Sequence, residues 1–341
     1  MTLLLPLLQV VQVLAAALLD RGLGDPQRWL HPVQVMGWGI ARLRRLSEGW
    51  AGGRPGRLRW AGAAITVLVV GFSGAAGWLL ERWAAHSAIG VAVLVVGLAS
   101  ALAGRSLDEA VTRVLELLPV ADLEPARRQL GRIVGRDTDQ LSREEILRAL
   151  AETASENAVD GLFAPLFWML AGAILSPLAP GLPGPLALAW GFKAASTLDS
   201  MLGYRRGSLA WLGTAGARLD DLLVWLPCRL VALSLPLAAG QGLAGAWQGL
   251  GLALRDGAPD PSPNAGVAQA AYAHAVGVQL GGSNRYGGKL RRKPLLAAGL
   301  APADAAAVRR MLRLSRRLQG LWLAAALVLA GLAGCITKAL S

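Results

Sequence analysis

The sequence predicts an all-α protein, a polytopic helical bundle integral to a membrane. Three observations predict it. Hydrophobic residues make up 54% of the 341-residue chain, and the mean hydropathy is +0.45. Charged residues are only 16%, against roughly 25% in a soluble domain. Apolar runs at about 2–19, 61–80, 87–104, 161–179 and 320–337 approach or reach the length that crosses a hydrocarbon core as a helix. The whole of 1–341 therefore reads as a single membrane-embedded domain. Within it, 105–160 is expected as a cytoplasmic helical insertion and 255–317 as a cytoplasmic glycine-rich and basic segment. The formal net charge of +12 would suit nucleic acid, but the arginines cluster beside apolar runs, where the positive-inside bias accounts for them. No nucleic-acid partner is expected; the lipid bilayer is.

The elements follow in order. Residues 2–19 have no basic stretch before them, so they read as a retained first span and not as a signal peptide. Gly22, Gly24 and Pro26 then predict turns, with Asp20, Asp25 and His31 forming a polar group under the span. Six arginines between 42 and 59 face one acid, Glu48. That loop is expected on the cytoplasmic side and the N-terminus outside. Spans 61–80 and 87–104 form a hairpin around a short outer turn at 81–86. Helices are expected over 107–118 and 124–134. A third starts near 143, because Ser142 and Glu145 have the spacing of a capping box.

That third helix ends in Glu152, Glu156 and Asp160, at i, i+4 and i+8, which places three carboxylates on one stripe at the mouth of the 161–179 run. Like charges so spaced repel, and a metal ion or an ammonium relieves the repulsion; a solvated helix face is the plain alternative. Residues 186–196 are too short to span and carry Lys193. An intramembrane lysine marks function unless it reaches the interface. A second polar block holds Thr197, Asp199, Tyr204, Arg205, Arg218, Asp220 and Asp221; Arg218 and Asp221, three apart, suit a local ion pair. Residues 222–254, broken by Pro227, Arg229, Pro236 and Gly240, read as a re-entrant or hairpin pair. In 255–294, Ser262 and Asn264 precede a helix of small residues over 266–278, whose first N–H groups suit an anion. Gly281 and Gly282 with Lys289 suggest a flexible phosphate-binding loop, without the Walker spacing. A basic helix at 303–317 leads into the last span. Cys228 and Cys335 lie in apolar segments and read as small buried residues. Polar blocks on one side of the membrane, with no internal repeat, favour an enzyme served from the cytoplasm over a membrane transporter or channel with a cytoplasmic gating region, which is the alternative.

Eight stretches carry a resemblance that runs essentially end to end: LGDPQRWLHPV (23–33), GRDT (135–138), ETASENAVDGLFAPLFW (152–168), TLDSMLGYR (197–205), ARLDDL (217–222), LPCRL (226–230), SPNAG (262–266) and VQLGGSNRYGG (278–288). Together they resemble the adenosylcobinamide-phosphate synthase family of cobalamin biosynthesis, the CobD/CbiB family. The resemblance implies a multi-pass protein of the inner (plasma) membrane with its active site facing the cytoplasm. It implies an ATP-dependent acid–amine ligase that joins aminopropanol phosphate, or aminopropanol, to the free carboxylate of the corrinoid adenosylcobyric acid, giving adenosylcobinamide phosphate. ATP and Mg²⁺ are the implied cofactors, and other cobalamin-biosynthesis enzymes are possible partners. On this reading Glu152, Glu156, Asp160, Asp199, Asp220 and Asp221 are the catalytic candidates, with Glu156, Asp160 and Asp199 as metal ligands. Asp25, His31, Asn157, Thr197, Tyr204, Arg205, Arg218, Arg229, Ser262, Asn264, Gly281, Gly282 and Lys289 are the substrate- and phosphate-binding candidates. Glu156 and Asp199 are expected within about 10 Å of one another, close enough to share a metal whose oxygens lie at about 2.0–2.6 Å. For each group, structural pairing of membrane-embedded polar side chains is the alternative.

Overall fold

The computed structural model describes residues 5–24, 30–179 and 181–340, with 333–340 described by backbone alone. It is mainly α-helical, as expected, with one small sheet. In chain order the elements are α1 (Leu5–Leu23), α2 (Pro32–Ala51), α3 (Pro55–Ala84), α4 (Ala88–Ala99), α5 (Gly104–Leu117), α6 (Glu124–Leu130) and α7 (Arg143–Ala158). A π-helical turn (Val159–Phe163) follows, then α8 (Ala164–Leu175), α9 (Pro185–Leu202), α10 (Leu209–Leu212), α11 (Thr214–Ala238), α12 (Gly242–Gly257) and α13 (Ala265–Val276). Strands β1 (Val278–Tyr286), β2 (Lys289–Leu296) and β3 (Ala301–Pro302) precede α14 (Ala305–Leu340). Among the described residues, five stretches are long and apolar enough to cross a membrane: Leu5–Leu23, Pro55–Ala84, Ala88–Leu117, Arg143–Leu175 and Thr214–Ala238.

The chain divides into two compact units. The first comprises residues 1–103, 164–223 and 323–341. In it α3 lies along α9 and α2, and α4 and α8 pack on α1. Ile40, Leu58, Ile65, Leu198 and Leu212 form a buried apolar core. Glu81, at the end of α3, caps α9: its carboxylate accepts from the backbone N–H groups of Gly184 (3.0 Å), Leu186 (2.6 Å) and Ala187 (3.1 Å). A carboxylate there satisfies donors that a helix start leaves open and complements the helix dipole.

The second unit comprises residues 104–163 and 224–322. Here α7 and α12 pack on α13, and α5 packs on α6 and α7. Buried Tyr272 shares a hydrogen bond with Ser315 (2.6 Å), and the rings of Phe163 and Trp322 lie 5.3 Å apart. The sheet has order β2-β1-β3, with β1 antiparallel to β2 and parallel to β3.

Several expectations are corrected. Of the turns expected at Gly22, Gly24 and Pro26, Gly22 lies inside α1, Gly24 follows its end at φ +64°, and Pro26 lies outside the described residues; α2 starts at Pro32. Pro32 fits because the first helical position needs no N–H. The arginine-rich loop at 42–59 is the end of α2, a turn at Gly52–Gly53 and the start of α3. Over 222–254 the chain does form two helices, α11 and α12, parted at Gly240, but the breaks expected at Pro227 and Pro236 are absent, since both lie inside α11. Pro227 lacks the N–H that would bond the Leu223 carbonyl four residues back. The Trp168 indole donates to that carbonyl at 3.1 Å instead. The flexible glycine loop is also corrected: 278–296 is a β-hairpin closed by Gly287 and Gly288, both at positive φ (56° and 76°), as a two-residue hairpin turn of the primed type requires.

Candidate functional site

The site grows from α7. Its start is the expected capping box: Ser142 Oγ accepts from the Glu145 N–H, and Glu145 Oε2 accepts from the Ser142 N–H (3.2 and 2.8 Å). Two and a half turns on, Glu152 is 1% exposed. Arg136, from the turn before α7, donates to it through Nη2 and to Asn284 Oδ1 on β1 through Nη1 (2.7 Å). The Gly281 N–H donates to Glu152 Oε1 at 3.0 Å. Arg148, one turn earlier on α7, donates to the Gly281 carbonyl and to that of Ser283 (2.9 Å). Gly281 takes φ +84°, and a Cβ there would overlap the Pro294 carbonyl oxygen; the register also shifts between Gly281 and Gly282. These contacts fix the bulged hairpin on α7.

The hairpin in turn delivers Lys293. Its Nζ lies 3.1 Å from Asp260 Oδ2. Burial alone would push the Lys293 ammonium down, but the charges of Asp260 and Glu156 outweigh it and hold it above the ordinary lysine value. Glu156, one turn beyond Glu152, accepts from Gln269 Nε2 on α13 at 2.8 Å. Asp260 Oδ1 accepts from the Ser262 N–H (2.9 Å), and Ser262 Oγ accepts from the Ala265 N–H (3.2 Å) and the Asn264 N–H (3.4 Å). Arg229 on α11 donates to Asn264 Oδ1 (2.5 Å) and the Pro263 carbonyl (2.8 Å). The start of α13 is therefore a bonded turn, with part of its N–H complement already used. Cys228 is buried, as expected, and donates to the Asn264 carbonyl (3.3 Å).

In the second unit the structure thus brings together Glu152, Glu156, Arg229, Ser262, Asn264 and Gly281. Asp160 sits in the π-helical turn, whose wider winding takes it off a strict i+4 stripe; it lies near enough to Cys228 to act on it electrostatically. Asn157 and Lys289 are exposed, and Lys289 sits at the hairpin turn opposite Tyr286. Lys289 was expected to border the site; half-buried Lys293 is the lysine that the hairpin brings to Asp260.

The first unit holds a second group. Asp199 on α9 and Asp220 and Asp221 on α11 lie close enough to act on one another, with Lys193 near Asp220 and Arg205 near Asp221. Asp220 Oδ1 is buried without a hydrogen-bond partner. Thr197 is buried and donates to the Lys193 carbonyl (2.6 Å). Tyr204, Arg205 and Arg218 are exposed, and Tyr204 has Arg206 over its ring at 4.9 Å. His31 caps α2, Nδ1 accepting from the Val33 N–H at 3.3 Å. Asp25 lies outside the described residues. Glu156 and Asp199 belong to different units. Among the described residues, no group of three or more His, Cys, Asp or Glu is arranged to hold a metal ion.

Arg136, Asp260, Gln269 and Lys293 were not singled out from sequence. Arg136 lay inside the quoted GRDT stretch, and Lys293 was absorbed into positive-inside charge. A strand reading of 289–296 puts Lys293 on the same face as exposed Lys289 and Arg291, so no local pattern sets it apart.

The model of the CobD/CbiB protein family matches residues 13–315. The "Cobalamin biosynthesis protein CobD" of Synechocystis sp. is 42% identical over 92% of this chain and 89% of its own length. That of Geobacter metallireducens is 43% identical over 89% and 91%. The "Cobalamin biosynthesis protein CbiB" of Salmonella typhi is 38% identical over 92% and 93%. No solved structure matches the chain. With a family model covering most of its length and relatives near 40% identity over nine-tenths of it, this chain belongs to the CobD/CbiB protein family.

Proposed function

We propose that this protein acts in cobalamin biosynthesis as a membrane-bound acid–amine ligase, joining aminopropanol phosphate or aminopropanol to the free carboxylate of adenosylcobyric acid. Its relatives are named for cobalamin biosynthesis. The observation that carries the chemistry is the cluster at α7: Glu156 held by Gln269, with the Lys293–Asp260 pair beside it and the bonded turn of α13 adjoining.

A carboxylate acylates poorly, so it must first be activated. In the proposed reaction a carboxylate oxygen takes the terminal phosphoryl group of ATP and ADP leaves. The amine nitrogen then attacks the acyl carbon, phosphate leaves, and the nitrogen gives up a proton to a carboxylate base. Glu156 suits the amine as ammonium partner and then as proton acceptor. Lys293 suits a phosphate, being a half-buried cation that keeps its charge. The protein's donor set fits magnesium only in part. Mg²⁺ takes one or two carboxylates and completes its shell with phosphate oxygens and water; in the first unit, Asp220 with its unpartnered Oδ1 is such a carboxylate, beside Asp199 and Asp221. A metal held there would neutralise phosphate charge brought to the first unit.

The test is purified protein with adenosylcobyric acid, aminopropanol phosphate and ATP–Mg²⁺, read by mass spectrometry. Adenosylcobinamide phosphate and ADP are expected. Glu156→Gln, which removes a charge with little change of volume, should abolish product at normal membrane insertion. Near wild-type turnover in that variant removes Glu156 from the site, and no product from the wild type under any nucleotide overturns the ligase reading. Asp220→Asn in the same assay, scanned over Mg²⁺ concentration, should raise the magnesium requirement.

A further inference from the structure

Gln269 lies on α13 at 2% exposure. Its Nε2 donates to Glu156 Oε2 at 2.8 Å, while its Oε1 is buried with no hydrogen-bond partner. The amide orientation is fixed by that contact, because a flipped amide would set its oxygen against the carboxylate. Buried polar atoms without partners are uncommon and costly, and each asks for an explanation. The neighbouring ammonium of Lys293 is engaged by Asp260 at 3.1 Å. A negative carboxylate and an open amide oxygen therefore sit side by side, and what completes them is a donor. A water molecule, with two O–H groups, serves both oxygens but leaves the carboxylate charge unopposed. A primary ammonium carries three N–H donors and a positive charge, so it serves both and offsets the carboxylate.

We propose that Gln269 and Glu156 together seat the ammonium of the amine substrate, Gln269 being the positioning residue that favours an amine over its deaminated analogue. This rests on the ligase reading above. Gln269 Oε1 orients the ammonium beside Glu156, which receives one of its protons as the nitrogen becomes nucleophilic.

The test uses the full-length protein in detergent. Affinities for aminopropanol phosphate and for isopropyl phosphate, the same molecule with hydrogen in place of the amino group, are measured by tryptophan fluorescence without nucleotide. The wild type should prefer the amine by at least tenfold. Gln269→Leu should lose most of that preference, and KM for the amine should rise about tenfold or more with KM for adenosylcobyric acid unchanged. Gln269→Met, closer in length, carries the test if the leucine variant does not fold. A wild type that binds both phosphates equally, or neither, overturns the proposal without any variant. So does a variant whose preference is unchanged, or one in which both KM values move together. If the wild type binds the amine selectively but makes no amide, the ligase reading fails while the ammonium seat stands.

Discussion

Removing Arg136 should release the β1–β2 hairpin from α7. The Arg136 side chain is 9% exposed and its partner Glu152 only 1%. With Arg136→Leu, the Glu152 carboxylate keeps one backbone donor, the Gly281 N–H at 3.0 Å, and a guanidinium, Arg148, at 3.9 Å. Stripping one partner from a buried ion pair costs about 3–5 kcal/mol. Arg148 stays close enough to take up part of the lost charge, so the lower end, about 3 kcal/mol, is the figure expected here. At roughly 1.4 kcal/mol per factor of ten, that is about a hundredfold in the population of the opened hairpin. Arg291 and Arg292 are exposed on β2, yet a strand must open before a protease can thread it. Limited trypsinolysis of solubilised protein, with cleavage sites read by mass spectrometry, therefore reports that population when opening is fast relative to cleavage. Cleavage at 291–292 about a hundredfold faster than wild type is expected. Arg136→Leu/Glu152→Leu should be cut more slowly than Arg136→Leu alone, because no unpaired carboxylate is left buried. A single variant cut within threefold of wild type refutes the anchoring role of the pair.

Three further outcomes are expected. Gly281→Ala puts a Cβ against the Pro294 carbonyl at φ +84° and should loosen the same hairpin in the same protease assay, whereas Gly282→Ala, strained at φ +95° but with its Cβ meeting only the Arg148 side chain at 3.3 Å and the Leu295 side chain, should do so less. The N–H groups of Gly288 and Gly287 bind the Asp137 carboxylate (2.7 and 2.9 Å) and hold its pKa below the ordinary 3.8. A depressed carboxylate gives stability that is present above its unfolded value and lost as pH falls through its folded value, so the protection of these two amides, relative to the unstructured exchange rate at the same pH, should fall below about pH 3.8, and Asp137→Asn should be less protected already at neutral pH. For topology, a cysteine introduced at Arg54 should label from the cytoplasmic side in membrane vesicles and one at His86 from outside; labelling of position 54 only from outside would overturn the orientation read from the arginine bias.

Much of the fold was legible because its signals are local. Long apolar runs leave little but helix in a bilayer, since no water is there to satisfy an open backbone. The Ser142 capping box and the small-residue helix after Asn264 each depend on neighbours within a few positions. The prolines of α11 misled because a proline breaks a helix by its own geometry, while Leu223 found a donor 55 residues away in Trp168. The hairpin was missed for a related reason: LGGSNRYGG has little strand propensity of its own, and its strand form rests on pairing with β2 and on Glu152 and Arg148 from α7.

By itself the sequence determined a mainly helical membrane chain of recognisable family, with Glu152 and Glu156 as marked residues. Composition and hydrophobic run length decide the first, and motif spacing along the chain carries the second. Only the tertiary structure decided that these two acids differ. Glu152 is neutralised by Arg136 and braces a strand, while Glu156 meets an amide and stands near Lys293. One helical turn separates them in the sequence; what separates them in chemistry is the side chain the fold brings across, from 16 residues away for Glu152 and from 113 residues away for Glu156, and no local pattern encodes that.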